Sequence, residues 1–459
     1  MNTTFFIALI IYLAVFITIG ILDLKKISNF TDYSVAGKKQ GGFSVIMTLL
    51  ATVIGASTTI GITDTVYKIG FPGIWWLAFG ALGLVFQAVF LSEKVRNINA
   101  DTLPDLANKT VGKSAELIIA IIIVISWIGV IAGQFVAMNN LITFALGKNS
   151  KWIFAIVATI VIAYTMIGGQ MSVVKTDKIQ LFLIVLGIIG CMLYLYFSKS
   201  ENNEQVFKNI EFLNENYTCV NLFMQFFVIG GVYFLGPDIM SRNFICKDGK
   251  TAKKSAFIAG AVLFIFSILI TLIGMWLRFN VAPEVLAGKS ALMYAVSILP
   301  KPVAVLLIFG LLSAILSSTD TCLINASTIF AKDIIKKESV LAVRLTVLAI
   351  GTVSMLLALI GRNDIMSLLT GAYSIYTPGV IFPLMIAILV WQKKDLRKGI
   401  WISAVIAGGI FGLAGSYFKP LLIKSGLSQG FFPYLPLIGM AISLILAICS
   451  VKWKKNQSL

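Results

Sequence analysis

Long apolar stretches alternate with short polar connections along the whole chain. Thirteen apolar segments can be delimited, at about 4–22, 43–66, 72–92, 115–146, 152–168, 177–198, 219–240, 254–277, 300–331, 339–361, 365–391, 398–418 and 432–451. A helix needs about 20 apolar residues to cross the hydrocarbon core, so the pattern predicts an all-α, polytopic membrane protein. The first segment follows an uncharged start, Met1 to Thr4. It has neither the basic start nor the small-residue cleavage site of a signal peptide, and is read as a span. The longest polar stretches are 199–218 and 278–299, and Ser290 to Leu299 within the second is expected to form a short helix.

Composition agrees with the pattern. Of 459 residues, 58% are hydrophobic and 12% charged, against about 25% charged in a soluble domain. This excludes a soluble enzyme, a nucleic-acid binder and a secreted disulfide scaffold. No Walker-type phosphate loop is found, so transport driven by ATP on this chain is not expected. The five cysteines have no metal-ligand spacing and no disulfide framework is read from them. The net charge of +17 would attract nucleic acid on a soluble protein, but in a polytopic one it reflects basic cytoplasmic loops. With thirteen spans, alternate connections fall on one side, and one set carries 26 of the 37 Lys and Arg. That set, which includes the tail Lys452, Lys454 and Lys455, is predicted to be cytoplasmic, which leaves the N-terminus outside and the C-terminus inside.

Helix interruptions at membrane depth persist only where they line a cavity or are buried in protein. The second segment clusters small and hydroxyl residues around Gly55: Ala51, Ile54, Ser57, Thr58 and Thr59. The seventh carries Gly230-Gly231 and Gly236-Pro237. These interruptions lie five segments apart, so segments two to six and seven to eleven form two halves of five, the second inverted because five is odd. Matched interruptions in two halves point to a transporter binding site; the alternative is that glycines mark close helix packing. In the ninth segment Ala314, Ser317 and Ser318 share one helix face. Two hydroxyls beside free carbonyls suit a small hard cation, and unwinding at Gly55 would free the carbonyls of Ala51 and Ile54. The alternative is that both serines bond back to their own helix.

Two acidic residues are candidates for function. Asp177, flanked by Lys175 and Lys178, reads either as a solvated or salt-bridged interfacial carboxylate or as part of ion binding and release. Asp320 stands out as the acidic residue well inside a segment; intramembrane charges are usually functional, though it can instead accept hydrogen bonds from a neighbouring helix. Ser57, Thr58 and Thr59, at the positive end of a half-helix, are placed to receive a polar solute group. Gln134, Gln225 and Tyr233 either face the same cavity or serve as packing contacts between helices.

These features together resemble the sodium/solute symporter family, which includes sodium-coupled glucose, proline, pantothenate and sialic acid carriers. The resemblance runs from about residue 5 to 455. It rests on Asp32-Tyr33 through Lys38, on Thr102-Leu-Pro-Asp105, and on Gly168-Gly169 followed by Val173, Val174, Thr176, Asp177 and Gln180. It continues with Arg242 and the basic loop Lys247 to Lys254, then Leu312 through Asp320, and ends at Lys332-Asp333. It implies the leucine-transporter fold of five plus five inverted-repeat helices. Residues 1–42 would hold an extra helix and loop, 43–198 the first repeat, 199–218 an external loop, 219–391 the second repeat, and 392–459 two further helices. It implies a sodium site from Ala51, Ile54, Ala314, Ser317 and Ser318, and in some members a second sodium near the carboxylate matching Asp177.

The expected function is sodium-coupled import of a small polar solute across the cell membrane, with sodium as coupling ion, no organic cofactor and no obligate protein partner. Sugar-carrying relatives tend to place an amide in the first core helix, where this chain has hydroxyls. Its fourth segment also has no arginine for sialic acid. Both features point toward a zwitterionic or carboxylate solute, such as an amino acid or pantothenate. Proton coupling on the same fold and a non-transporting solute sensor remain open. A membrane enzyme is not expected, for want of histidine and of a nucleophile–base pair.

Overall fold

An apolar run without interior breakers folds as one long helix, because in lipid each backbone N–H and C=O must find its partner within the segment. The computed structural model describes residues 2–147, 150–198, 202–286, 289–360, 365–418, 423 and 429–452. Lys454, Lys455 and the first residues of the 199–218 connection lie outside them.

α1 (Asn2–Leu24) leads to the short α2 (Phe30–Val35), where the Asn29 side chain caps the helix by accepting from the Asp32 N–H. α3 (Gly42–Val53) and α4 (Ile62–Ile69) join through a wide π-helical turn at Ser57–Gly61 and are bent by 61°. α5 (Trp75–Phe90), α6 (Ser92–Ile98) and α7 (Leu103–Thr110) precede two long helices, α8 (Lys113–Leu146) and α9 (Lys151–Phe197). After α10 (Asn203–Lys208) come α11 (Cys219–Leu235), α12 (Pro237–Phe244), α13 (Gly249–Asn280) and α14 (Pro283–Leu286). α15 (Ala291–Ile298) is the short helix expected at Ser290 to Leu299. α16 (Lys301–Ile329) runs on into a π-helical turn at Phe330–Ile334. α17 (Val340–Ile360) precedes α18 (Ile365–Tyr376), which reaches α19 (Phe382–Val390) through a π-helical turn that holds Pro378. α20 (Lys398–Tyr417) and α21 (Leu435–Cys449) complete the helices. Two-residue strands β1 (Asp395–Leu396) and β2 (Val451–Lys452) pair antiparallel.

Each predicted segment falls on a helix, with two differences in where helices break. Segments 152–168 and 177–198 lie on α9, which turns at Gly169 (φ 55°, ψ −161°). The Gly230-Gly231 interruption does not occur: α11 is helical through both residues and ends at Gly236, whose backbone is extended (ψ 144°). The glycine pair serves close packing instead. A Cβ on Gly230 would lie 3.4 Å from the Phe79 carbonyl, and one on Gly231 would lie 2.8 Å from the Thr377 methyl. Proline at the start of α12, which lacks the N–H needed to continue α11, sets the real break. Among the described residues ten helices are long and apolar enough to cross a membrane, eleven with the bent α3–α4 pair, and α21 is a shorter apolar helix.

α16 is central. It packs along α9 and α8, and 72% of its apolar window is buried, against 33% for α1, α17 and α20. The peripheral helices turn large side chains such as Ile10, Ile11, Leu345 and Ile410 outward, a surface suited to hydrocarbon rather than water. The turn in α9 receives α2: Tyr33 donates its hydroxyl to the Met166 carbonyl at 2.7 Å, and its ring fills the space a Cβ on Gly169 would need.

Candidate functional site

The bend between α3 and α4 leaves peptide groups without helical partners, and side chains take up several of them. The Gly55 N–H bonds Thr58 Oγ1 at 2.8 Å, and the Ala56 N–H bonds Gln134 Oε1 at 3.3 Å. The carbonyls those amides would have served are those of Ala51 and Thr52. Ser317 donates to the Ala51 carbonyl and Ser318 to the Thr52 carbonyl, both at 2.8 Å. Ser317 Oγ also lies 3.2 Å from the Ala314 carbonyl. Ile54 has left helical geometry (φ −89°, ψ 79°). The structure therefore brings Ala51, Ala314, Ser317 and Ser318 together around the break, with Ile54 at its edge. Gly55 is required there, since a Cβ would overlap the Ser318 hydroxyl. The donors are all oxygens, the set a small hard cation prefers.

Beside this break lies a polar cluster whose partner residue the sequence did not reveal. Asp177 is not at an aqueous interface; it is fully buried and pairs with Arg242 at 3.3 Å. Thr48 also donates to the same carboxylate oxygen. Arg242 Nη2 reaches Thr52 Oγ1 at 2.6 Å and Thr321 Oγ1 at 2.5 Å. The neighbouring Lys175 pairs with Asp23 instead. Asp320 accepts from the hydroxyls of Tyr164 (2.6 Å) and Thr165 (2.8 Å) on α9, the second of the two readings of that residue. It is not alone inside the helical bundle, because Asp177 and Asp238 are there as well. Asp238, in the first turn of α12, was missed; the Gly236-Pro237 break directly before it was the available signal.

A small cavity opens against the break. Its wall includes Ser57, Gln134, Tyr233, Asp238, Ser318 and Tyr373. About 20 Å³ is open to the centre of a water molecule, room for a single water. Three predicted solute residues, Ser57, Gln134 and Tyr233, thus face one space, and three others do not. Thr58 hydroxyl bonds the carbonyls of Val53 and Gly55, and Thr59 bonds that of Gly55, so both serve their own helix. Gln225 accepts from Tyr217 near the start of α11.

The remaining sequence motifs meet at one end of the bundle. Thr102 donates to Asp333 at 2.7 Å, and Lys332 pairs with Asp101 at 2.5 Å and with Asp105 at 3.4 Å. Lys38 reaches Asp101 at 2.7 Å.

Comparison with known proteins bears on the family and the fold. The model of the sodium:solute symporter family matches residues 33–408. The osmoregulated proline transporter OpuE of Bacillus subtilis (strain 168) is 24% identical over 473 aligned residues, covering 92% of this chain and 96% of its own. A substrate-bound, outward-open Na+-coupled sialic acid symporter superposes with a TM-score of 0.78 at 19% identity, over 98% of both chains. MhsT in complex with L-phenylalanine superposes with a TM-score of 0.57 at 14% identity, over 89% of this chain and 98% of its own. Fold and family are those of multi-pass membrane transporters, and the chain belongs to the sodium:solute symporter family.

Proposed function

We propose that the protein is a sodium-coupled symporter that imports a small polar organic solute by alternating access. The observation that carries this reading is the contact between the Ser317 and Ser318 hydroxyls and the Ala51 and Thr52 carbonyls freed at the α3 break. Sodium bound by Ala51, Ile54, Ala314, Ser317 and Ser318 would hold α3 against α16 and favour the outward-open state. The solute would then enter the cavity beside Ser57 and Gln134, and rocking of the two helix bundles would expose it to the other side. Asp177 Oδ1, buried without a hydrogen-bond partner, is the atom through which that carboxylate would join ion binding.

The proposed layout is thirteen spans with repeats at 43–198 and 219–391, the N-terminus outside and the C-terminus in the cytoplasm. The basic connections support this orientation. An amino acid or other zwitterionic solute is supported by the relative named for proline transport, with a carboxylate such as pantothenate as the other member of the class.

The test is thermal unfolding of the purified protein, titrated with sodium and with potassium. A ligand of the folded state raises its stability by about 2.7 kcal/mol at a hundredfold excess over Kd. Sodium should stabilise the native protein, and Ser317→Ala/Ser318→Ala should lose that response. Equal effects of the two ions would falsify the sodium assignment, and uptake that follows pH at fixed sodium would transfer the coupling to protons.

A further inference from the structure

We propose that the transported solute carries a protonated nitrogen and that Asp238 receives it. The inference rests on reading the cavity at the α3 break as the solute site, and it narrows the solute class to amines and amino acids. Among the described residues, Asp238 is the only charged one in the cavity wall, which holds no lysine or arginine. Its Oδ1 is shielded from solvent and has no hydrogen-bond partner. Oδ2 meets the Cys322 thiol at 3.9 Å, a weak donor at long range, and the backbone N–H groups of Asp238 and Ile239 at the start of α12 also act on the carboxyl group.

Arg242 acts on this carboxylate through its charge, but no ion pair forms between them among the described residues. Arg242, one turn further along α12, forms its ion pair with Asp177 and gives its Nη atoms to Thr52, Thr321 and Ser241. One positive charge thus serves two carboxylates, Asp177 in an ion pair and Asp238 at longer range, which leaves a net negative charge on the cavity side. A carboxylate compensated only in part is costly at this depth, and a cationic solute group supplies an ion-pair partner. Tyr233 and Tyr373 form the neighbouring wall, and aromatic faces attract cations. The first turn of α12, where helix N–H groups favour an anion, already holds the Asp238 side chain, so a solute carboxylate finds no welcome there. Any carboxylate of the solute would turn toward Ser57 and Gln134 across the cavity.

The experiment is a sodium-containing thermal-shift panel of four isosteric solutes, alanine, alaninol, lactamide and lactate, extended with larger members of each charge class, including proline. The native protein should be stabilised by members bearing a protonated nitrogen and not by their neutral or purely anionic counterparts. Asp238→Asn should raise the half-saturating amine concentration about tenfold or more, the loss expected for one charge-assisted hydrogen bond. The sodium shift of that variant serves as its folding control and should be unchanged. Stabilisation confined to lactate- or lactamide-type solutes overturns the proposal, as does a panel without amine hits, or an Asp238→Asn variant that binds amines as the native protein does. A native protein that answers amines but not sodium overturns the coupling reading and leaves the assignment of Asp238 standing.

Discussion

A charged pair sealed from water adds little net stability, yet removing half of it is expensive, because the survivor stays buried without its partner. Arg242 and Asp177 are such a pair. Arg242→Met is expected to destabilise the protein by about 3–5 kcal/mol, and Arg242→Met/Asp177→Asn to recover most of that loss. Thermal unfolding of both variants measures it; a double variant no more stable than the single one would discount the pair. The pair was not legible in the sequence, since its members stand 65 positions apart on separate helices and the lysines beside Asp177 suggest an interface. The oxygen donors were legible. Ser317 and Ser318 share a helix face with Ala314, and the run of small residues around Gly55 marks the bend that frees the opposing carbonyls. What spacing could not settle was the destination of each hydroxyl. Thr58 and Thr59 bond within their own helix, whereas Ser317 and Ser318 reach across to another.

At the scale of elements, helix breaks and helix contacts use the same residue type, and the local sequence does not separate them. Gly169 and Gly231 each sit beside another glycine, yet one turns its helix and the other only admits a neighbour. Gly169 has a backbone conformation that side chains resist, and a Cβ there would lie 2.7 Å from the Tyr33 ring. Gly169→Ala should therefore cost about 1–3 kcal/mol from the backbone alone, and Tyr33→Ala in the same chain should not restore it. Recovery of stability in that double variant would show the clash, rather than the backbone, to be the cause. Gly55→Ala acts differently, because its Cβ would displace the Ser318 hydroxyl. The expected result is a folded protein with a weakened sodium-dependent thermal shift, and an undiminished shift would separate Ser318 from the ion. The sequence located the α11–α12 break to within a few residues but offered two candidates for it, and the proline decided between them.

Across the whole molecule, motifs far apart in the chain form one ionic cluster at an end of the bundle, where Lys38, Asp101, Asp105 and Lys332 meet. Burial raises the pKa of Asp101, and hydrogen bonds and charge from Lys332 and Lys38 more than reverse that, so its carboxyl titrates below the ordinary range. A carboxyl with a depressed folded pKa contributes stability that is complete above its unfolded value, about 4, and is lost as pH falls toward the folded one. Thermal stability should accordingly decline in that acidic window, and Asp101→Asn should be less stable at neutral pH with a shallower decline. Parallel curves for the two proteins would remove Asp101 from the account. The order of the helices was readable from hydropathy alone. The meeting of these motifs was not, because nothing in a linear pattern states which loops share an end.

Cys322 stands in the wall of the one-water cavity, next to Asp238. A thiol in that position is a built-in clock. No maleimide fits into so small a space, so Cys322 can be alkylated only during the moments when the bundle parts. After replacement of the other four cysteines, Cys191, Cys219, Cys246 and Cys449, by serine, the labelling rate would count openings at Cys322, and its change with sodium or solute would report how each ligand alters the rhythm of the cycle.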